Sequence, residues 1–288
     1  METRKNSGWL FGAVAVGVIG LLVWAERRRA LREPVDRRTG RAATNLVMAG
    51  ITAATTHVAM TPVVRPLVAL VERRRVGLVQ RLPLPEWIRD ALAVVLLDYT
   101  LYWWHVLEHR VRWLYRFHQV HHADLALDVT TAARFHFGEF VASVPWRAGQ
   151  IVLIGVTPSA LSLWQRLTMV SVLFHHSNVR LPIRLERWLS VFVTTPRLHG
   201  IHHSIVAEEQ SSNWSSGLTA WDRLHGTYRA NVPQAEIAIG VPAYREPEDV
   251  TLSKSLAMPL HEPPDWRLPD GTVPEHAPAD APRDRLLP

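Results

Sequence analysis

The sequence predicts an all-α integral membrane protein. Its fold is a helical bundle of about four to five spans, two of them forming a helical hairpin, with a histidine-rich cap on the cytoplasmic side. Three observations predict it. Hydrophobic residues make up 48% of the 288 and charged residues only 20%, below the usual quarter of a soluble domain. The apolar residues are bunched into long runs with arginines at their ends, as the positive-inside rule places them. Histidines recur as H-x-x-x-H and H-x-x-H-H between Asp98 and His122, and again as H-x-x-H-H in the stretch LHGIHH that ends at His203.

Composition also excludes function classes. The net charge is +6 and the base is almost all arginine. These arginines flank apolar runs and form no stripe interleaved with aromatics, so no nucleic-acid partner is expected. There is no cysteine, which excludes disulfides, thiolate zinc sites and iron–sulfur clusters bound by this chain. A metal centre that needs electrons must take them from a separate carrier.

The elements follow in order. Residues 1–41 read as a membrane anchor and a basic loop. The uncharged run Ser7 to Ala25 is long enough to cross a bilayer, with Trp9 and Trp24 near its ends. Arg4 and Lys5 resemble the start of a cleaved signal peptide, but no A-x-A-like site follows and Arg27, Arg28 and Arg29 act as stop-transfer charges. Residues 42–228 read as the membrane-embedded domain. Ala42 to Val64 is its first span, carrying His57 as a packed residue and ended by the prolines of Thr61 to Pro66. Val71 to Arg81 is basic and reads as an interfacial segment with snorkelling arginines. Trp87 to Leu107 is the next span. Asp98 inside it needs a partner, and the histidines one and two turns on are the expected ones.

Phe140 to Phe174 exceeds one crossing and is interrupted at Gly155-Val-Thr-Pro158, so it reads as the hairpin. This returns His175 and His176 to the side the chain left at Glu139, with Arg147 and Arg166 toward the cytoplasmic base. From Ser177 the chain reads as a cap. Residues 229–288 form a proline-rich tail, an ordered strap or a disordered end, whose His261 and His276 are not expected to be ligands.

On a helix, residues three and four apart share a face. H-x-x-x-H therefore sets two imidazoles side by side, and H-x-x-H-H sets three around one turn. The eight histidines are His105, His109, His118, His121, His122, His199, His202 and His203. They are too many for one tetrahedral ion, so two ions sharing them is the economical reading. Imidazole suits iron, zinc, copper and nickel alike. Tyr99, Tyr102, Trp103 and Trp104 lie either along a substrate path or in an interfacial belt.

These motifs resemble the three histidine boxes of the fatty acid hydroxylase / sterol desaturase superfamily. Arg134-Phe-His136-Phe-Gly-Glu139 is similar to its R-x-H-P-x-E segment, with Phe137 in place of proline. Phe174-His175-His176-Ser-Asn178 is similar to its H-x-N segment. Trp221 to Tyr228 is similar to its W-D-R-L-F-G-T-Y signature, with His225 in place of phenylalanine. The resemblance implies a non-haem di-iron oxygenase in the membrane, with two Fe ions and O2 as co-substrate. A separate donor, such as a ferredoxin or a cytochrome with its reductase, would supply electrons, and a lipid would be hydroxylated or desaturated. It places the site on the cytoplasmic face of the plasma membrane in a bacterium, or of the endoplasmic reticulum in a eukaryote. Under it the eight box histidines are ligands, His176 is a further ligand, His136 is a ligand or a neighbour of one, and His175 packs beside the site. Asp98, Glu108, Asp124, Glu139, Asn178 and Asp222 are then the groups expected to orient ligands, Asp98 foremost because it lies two helical turns before His105.

Two other classes compete. His105-Val-Leu-Glu108-His109 also matches H-x-x-E-H, a zinc metallopeptidase motif, but that reading leaves both H-x-x-H-H triplets idle. A metal transporter would place ligands near the bilayer midplane, whereas these cluster at helix ends and in loops.

Overall fold

The computed structural model describes residues 2–33 and 39–275, so His276 lies outside the described residues. Helix α1 (Glu2–Arg28) covers the predicted anchor. The segment after it is tied to the end of a distant helix. Leu31 N donates to Asn178 O at 2.8 Å, Arg32 N donates to Asn178 Oδ1 at 2.9 Å, and Asn178 Nδ2 donates to Arg32 O at 2.7 Å.

Helix α2 (Thr39–Thr55) passes through a π-helical turn (Thr56–Met60) into α3 (Thr61–Arg74). The prolines do not end this helix, contrary to the sequence expectation. Pro62 stands in the first turn of α3 and Pro66 inside it. The wider π turn absorbs the missing donors: both the backbone N–H and Oγ1 of Thr61 donate to Thr56 O, five residues back. Among the described residues, the helical stretch long and apolar enough to cross a bilayer is Gly40–Arg81. Val71 to Arg81 is not one amphipathic helix. It is the end of α3, a left-handed residue at Arg75 (φ 51°), a turn at Gly77, and a single 3₁₀ turn (Val79–Arg81).

Helices α4 (Glu86–Arg110) and α5 (Arg112–His122) are separated by one extended residue, Val111. That residue decides the site. A straight helix would hold His105 and His118 roughly 20 Å apart along its axis, yet their ring centroids are 5.0 Å apart. The bend folds the second histidine motif back onto the first.

Helix α6 (Phe137–Gln150) runs into a π turn (Ile151–Gly155), and α7 (Pro158–His176) returns. This is the predicted hairpin. Thr157 caps α7, its side chain accepting from Ala160 N. The hairpin tip rests on the turn after α3. Leu78 N donates to Leu153 O at 2.9 Å and Gln80 Nε2 to Gly155 O at 2.8 Å. Gly77 and Gly155 touch there with positive φ (99° and 89°), and a Cβ on Gly77 would lie 2.3 Å from Gly155 Cα. Val68, Val71, Ala93, Leu97, Ile151 and Ala160 form the core beneath this contact. Leu153, Val58 and Trp87 are each more than 70% exposed on the outer surface, as apolar side chains facing lipid would be.

The cap follows: α8 (Ile183–Phe192), α9 (Pro196–His202), α10 (Ala207–Gln210), α11 (Ala220–Leu224) and α12 (Leu252–Ala257). Among the described residues the β-structure consists of isolated bridges. Of the two readings of the tail, residues 229–275 follow the ordered one. Val241, Val250 and Met258 bury against Met48, Val120 and Leu125, laying a strap over α5.

The glycine contact at the hairpin tip yields a stability test. Gly77→Ala forces both a positive-φ alanine and a backbone clash, and should cost about 2 kcal/mol or more. Thermal unfolding of the purified protein in lipid nanodiscs would show this as a lowered midpoint. An unchanged midpoint would mean that the tip separates from the turn without penalty.

Candidate metal centre

The bend at Val111 and the return of α7 bring nine histidines together in two buried groups. One holds His105, His109, His118, His122 and His202; the other holds His121, His176, His199 and His203. Within each group the ligand atoms lie within 4.8 Å of one another. All eight box histidines are present, with His176 as the ninth member, and α4, α5, α7 and the α9 end supply them. His203, the cap residue of α9, stacks on His122 with ring centroids 4.3 Å apart.

The residues fit metal ions on physical grounds. His121 Nδ1 donates to Arg134 O at 3.1 Å and His176 Nδ1 to Val172 O at 2.8 Å. A neutral ring that donates from Nδ1 carries only a lone pair on Nε2, yet these two Nε2 atoms are 3.0 Å apart. Two further Nε2 pairs, His176 with His199 and His199 with His203, also lie 3.0 Å apart. The two facing lone pairs of His121 and His176 repel at that distance unless a cation lies between them. In the other group, the Nε2 atoms of His109, His118, His122 and His202 are buried with no hydrogen-bond partner, each at a cost of about 1–3 kcal/mol if left unmet. Burial lowers the His202 pKa to about 3 and that of His176 to about 4, so both rings are neutral and free to ligate at neutral pH.

Backbone carbonyls do most of the orienting. His105 Nδ1 donates to Trp214 O at 2.7 Å and His202 Nδ1 to Ser212 O at 2.9 Å. His118 Nδ1 instead donates to Glu139 Oε2 at 3.3 Å, with Glu108 Oε2 at 3.7 Å. Burial, and then the neighbouring Glu139, push the Glu108 carboxyl well above the usual carboxylate range. Asp222 acts one step removed: it accepts from Trp214 N and Ser215 N at 2.9 and 3.0 Å and from Thr227 Oγ1 at 2.7 Å, fixing the loop whose carbonyl holds His105.

Several expectations are corrected. Asp98 reaches no histidine; it accepts from Trp221 Nε1 at 2.7 Å and Leu218 N at 3.1 Å, because the cap loop carrying Gly217 packs against it. Asp124 accepts from Arg41 Nη1, Asn45 Nδ2 and Thr131 Oγ1, a network that holds the α5–α6 connection to α2. Asn178 pairs with the segment after α1 and orients no ligand. His136 has both nitrogens engaged outside the two groups: Nδ1 accepts from Gly138 N as the cap of α6, and Nε2 donates to Leu256 O at 3.3 Å. His175 lies beside the second group, its ring 4.1 Å from that of His199. His57, expected to be packed or hydrogen-bonded, is exposed, as is His261, and neither belongs to the two groups.

Sequence reasoning missed Arg134, whose side chain is fully buried. It donates to Val120 O, Asn45 Oδ1 and Ser255 Oγ, joining α5, α2 and the strap, while its carbonyl aims His121. Its place in the R-x-H segment was the available signal. Arg32 was missed as well. It donates to Pro196 O and Gln234 Oε1, and a Cβ on Gly200 would lie 2.1 Å from its Nη1. The glycine of H-G-I-H-H therefore makes room for it. The aromatic cluster divides. Tyr99, Tyr102 and Trp103 surround His225, which sits 3.2 Å from Tyr99 Oη, while Trp104 faces a cavity.

That cavity has a volume of about 430 Å³ and adjoins both histidine groups, within the range of small-molecule sites. Its walls are matching helical stripes. Glu139, Phe140, Ser143, Trp146, Arg147 and Gln150 come from α6, facing Trp164, Thr168, Met169, Val172 and His176 of α7. These spacings put each set on one helix face.

Residues 91–227 match the family model described as fatty acid hydroxylase. These residues, a little under half of the chain, are similar to the fatty acid hydroxylase family. An ornithine lipid hydroxylase of Rhizobium tropici is 32% identical over 54% of this chain and 46% of its own length. A cholesterol 25-hydroxylase-like protein of Danio rerio is 32% identical over 48% of this chain and 54% of its own. An alkylglycerol monooxygenase of Xenopus tropicalis is 27% identical over 48% of this chain and 29% of its own. The chain thus spans about half or less of the length of these curated relatives. No solved structure matches it. The matched residues include all nine clustered histidines.

Glu139→Ala removes the acceptor that aligns His118. It should weaken metal binding about 10- to 100-fold, read by dialysis against a graded chelator followed by elemental analysis. Undiminished affinity would show that Glu139 only fills space.

Proposed function

We propose that the protein is a membrane-bound non-haem di-iron oxygenase that uses O2, and electrons from a separate protein donor, to hydroxylate a C–H bond of a lipid. One observation carries this reading: two buried all-histidine groups lie at the base of an apolar cavity between hairpin helices. The relatives are named for hydroxylation or monooxygenation of lipids, which favours an alcohol over an alkene as product. The exposed apolar side chains of α2, α3, α4 and α7 support crossings by these helices, with α1 as the anchor and the histidine cap on the cytoplasmic side.

Iron held by the nine histidines would supply the O2 chemistry and the breaking of an unactivated C–H bond. The chain's own part is positioning and exclusion. His105, His121, His176 and His202 commit Nδ1–H to carbonyls and keep Nε2 directed inward. Trp104, Phe135 and Phe140 line the cavity beside the histidines and keep bulk water from the reacting carbon. In this reading a lipid chain enters between α6 and α7, whose facing stripes line the cavity, and reaches the base without crossing water. The metallopeptidase reading loses support. His105 and His109 share their group with three other histidines, and Glu108 instead lies with His118 and Glu139.

Purified protein is expected to hold two irons per chain, and cells expressing it should accumulate a hydroxylated lipid only in the presence of O2. His202→Ala should abolish the product and lower the iron content. An unchanged lipid profile beside intact, metal-loaded protein, or one zinc per chain with peptide hydrolysis, would overturn the reading.

A further inference from the structure

The deep end of the cavity carries a charge that the oxygenase reading does not use. Arg147 was expected at the cytoplasmic base of the hairpin. It stands instead in the last turn of α6, eight residues and about 12 Å along the axis beyond Glu139, toward the hairpin tip. Its guanidinium lies over the Trp164 ring, 4.3 Å from the centroid, and its Nη1 is buried with no hydrogen-bond partner. Among the described residues no carboxylate pairs with it. An unpaired cation within a membrane-embedded hairpin is costly to keep, and such residues mark ligand or ion sites.

The neighbouring polar atoms show what would satisfy it. The indole Nε1 atoms of Trp146 and Trp164 are also buried and unpartnered, and both residues line the same cavity. Gln150, three residues on from Arg147, is a counter-case; the Thr56 hydroxyl and Glu108 Oε1 elsewhere in the lining are also unpartnered. Thr100 Oγ1 donates to Leu96 O at 2.8 Å, so it accepts from Gln150 Nε2, and this leaves Gln150 Oε1 without a donor. Among Trp146, Arg147, Gln150 and Trp164, three unmet donors, one of them charged, thus stand beside one unmet acceptor. A hydroxyl would answer Gln150 but leave the guanidinium charge unpaired. A carboxylate would answer the donors and neutralise the charge, through hydrogen bonds roughly twice as strong as neutral ones. The charge decides.

We propose that Arg147 anchors a carboxylate of the lipid substrate at the cavity end remote from the oxidised carbon, with Trp146 and Trp164 completing the pocket. This rests on the oxygenase reading only for the word substrate; the anchor itself is a binding site. It makes Arg147 a specificity-determining residue, because it holds the acid group two helical turns beyond Glu139, which contacts His118, and so selects which carbon reaches the histidine groups.

The test uses the full-length, iron-loaded protein in nanodiscs and three photoreactive probes of equal chain length, each with a diazirine near its tail: a carboxylic acid, the primary alcohol and the alkane. Cross-linked cavity peptides are quantified by mass spectrometry. The acid is expected to label at least ten-fold more than the alkane and more than the alcohol. Arg147→Met should bring the acid down to the alkane's level, and Arg147→Lys should restore part of the difference, with iron content unchanged in both. Equal labelling by all three probes, absence of cavity labelling by the acid, or stronger labelling by the alcohol would overturn the proposal. So would acid labelling that persists in Arg147→Met. Should that variant lose its iron, competition on the wild-type protein decides: unlabelled acid must displace the acid probe better than unlabelled alcohol does. Arg147-dependent labelling by a protein that oxidises no lipid would sink the oxygenase reading and leave the anchor standing. O2-dependent lipid hydroxylation with Arg147-independent labelling would do the reverse.

Discussion

Nine imidazoles can be buried in one volume only if each is neutral and each is told which nitrogen to present. Burial supplies neutrality by disfavouring the charged ring. Direction is supplied largely by main-chain carbonyls: Trp214 O for His105, Arg134 O for His121, Val172 O for His176 and Ser212 O for His202. These carbonyls come from the cap, the α5–α6 connection and α7. Helix ends and loops that look like connectors are therefore parts of the centre, and Asp222, Arg134 and Arg32 earn their burial by holding those loops still.

The same dependence explains what was legible in the sequence. The histidines were readable because helical spacing puts a chemical identity on a geometric face, and the hairpin because Gly155 and Pro158 carry backbone constraints. The ninth histidine, His176, and the closing Trp221–Tyr228 signature were readable through resemblance to known motifs. The carbonyl partners were not, since a carbonyl has no side chain to identify it. Asp98 failed for a related reason: two turns on one helix predicts a shared face, but a tertiary partner, Trp221, took the carboxylate. The prolines of α3 failed because a π turn supplied an accommodation that the residue types alone do not announce.

Packing is divided to match. The core is tight where α3, α4 and the hairpin tip meet around Val71, Leu97 and Ile151, and the glycine pair there allows backbones to touch. Between α6 and α7 the same hairpin opens into the cavity. A rigid tip and a base tied to the histidine groups hold the two helices apart without any side chain having to prop them. The strap over α5 does the corresponding work on the other side, with Val250 and Met258 pressing the histidine helix inward.

In each H-x-x-H-H triplet, adjacent residues part company. His122 and His202 face one group, while their neighbours His121 and His203 face the other. One short piece of backbone thus aims ligands at both ions. A cation seated in either group would hold the helix turn that the second group also uses. The two groups are therefore mechanically one unit: a shift of either helix turn moves ligand atoms of both.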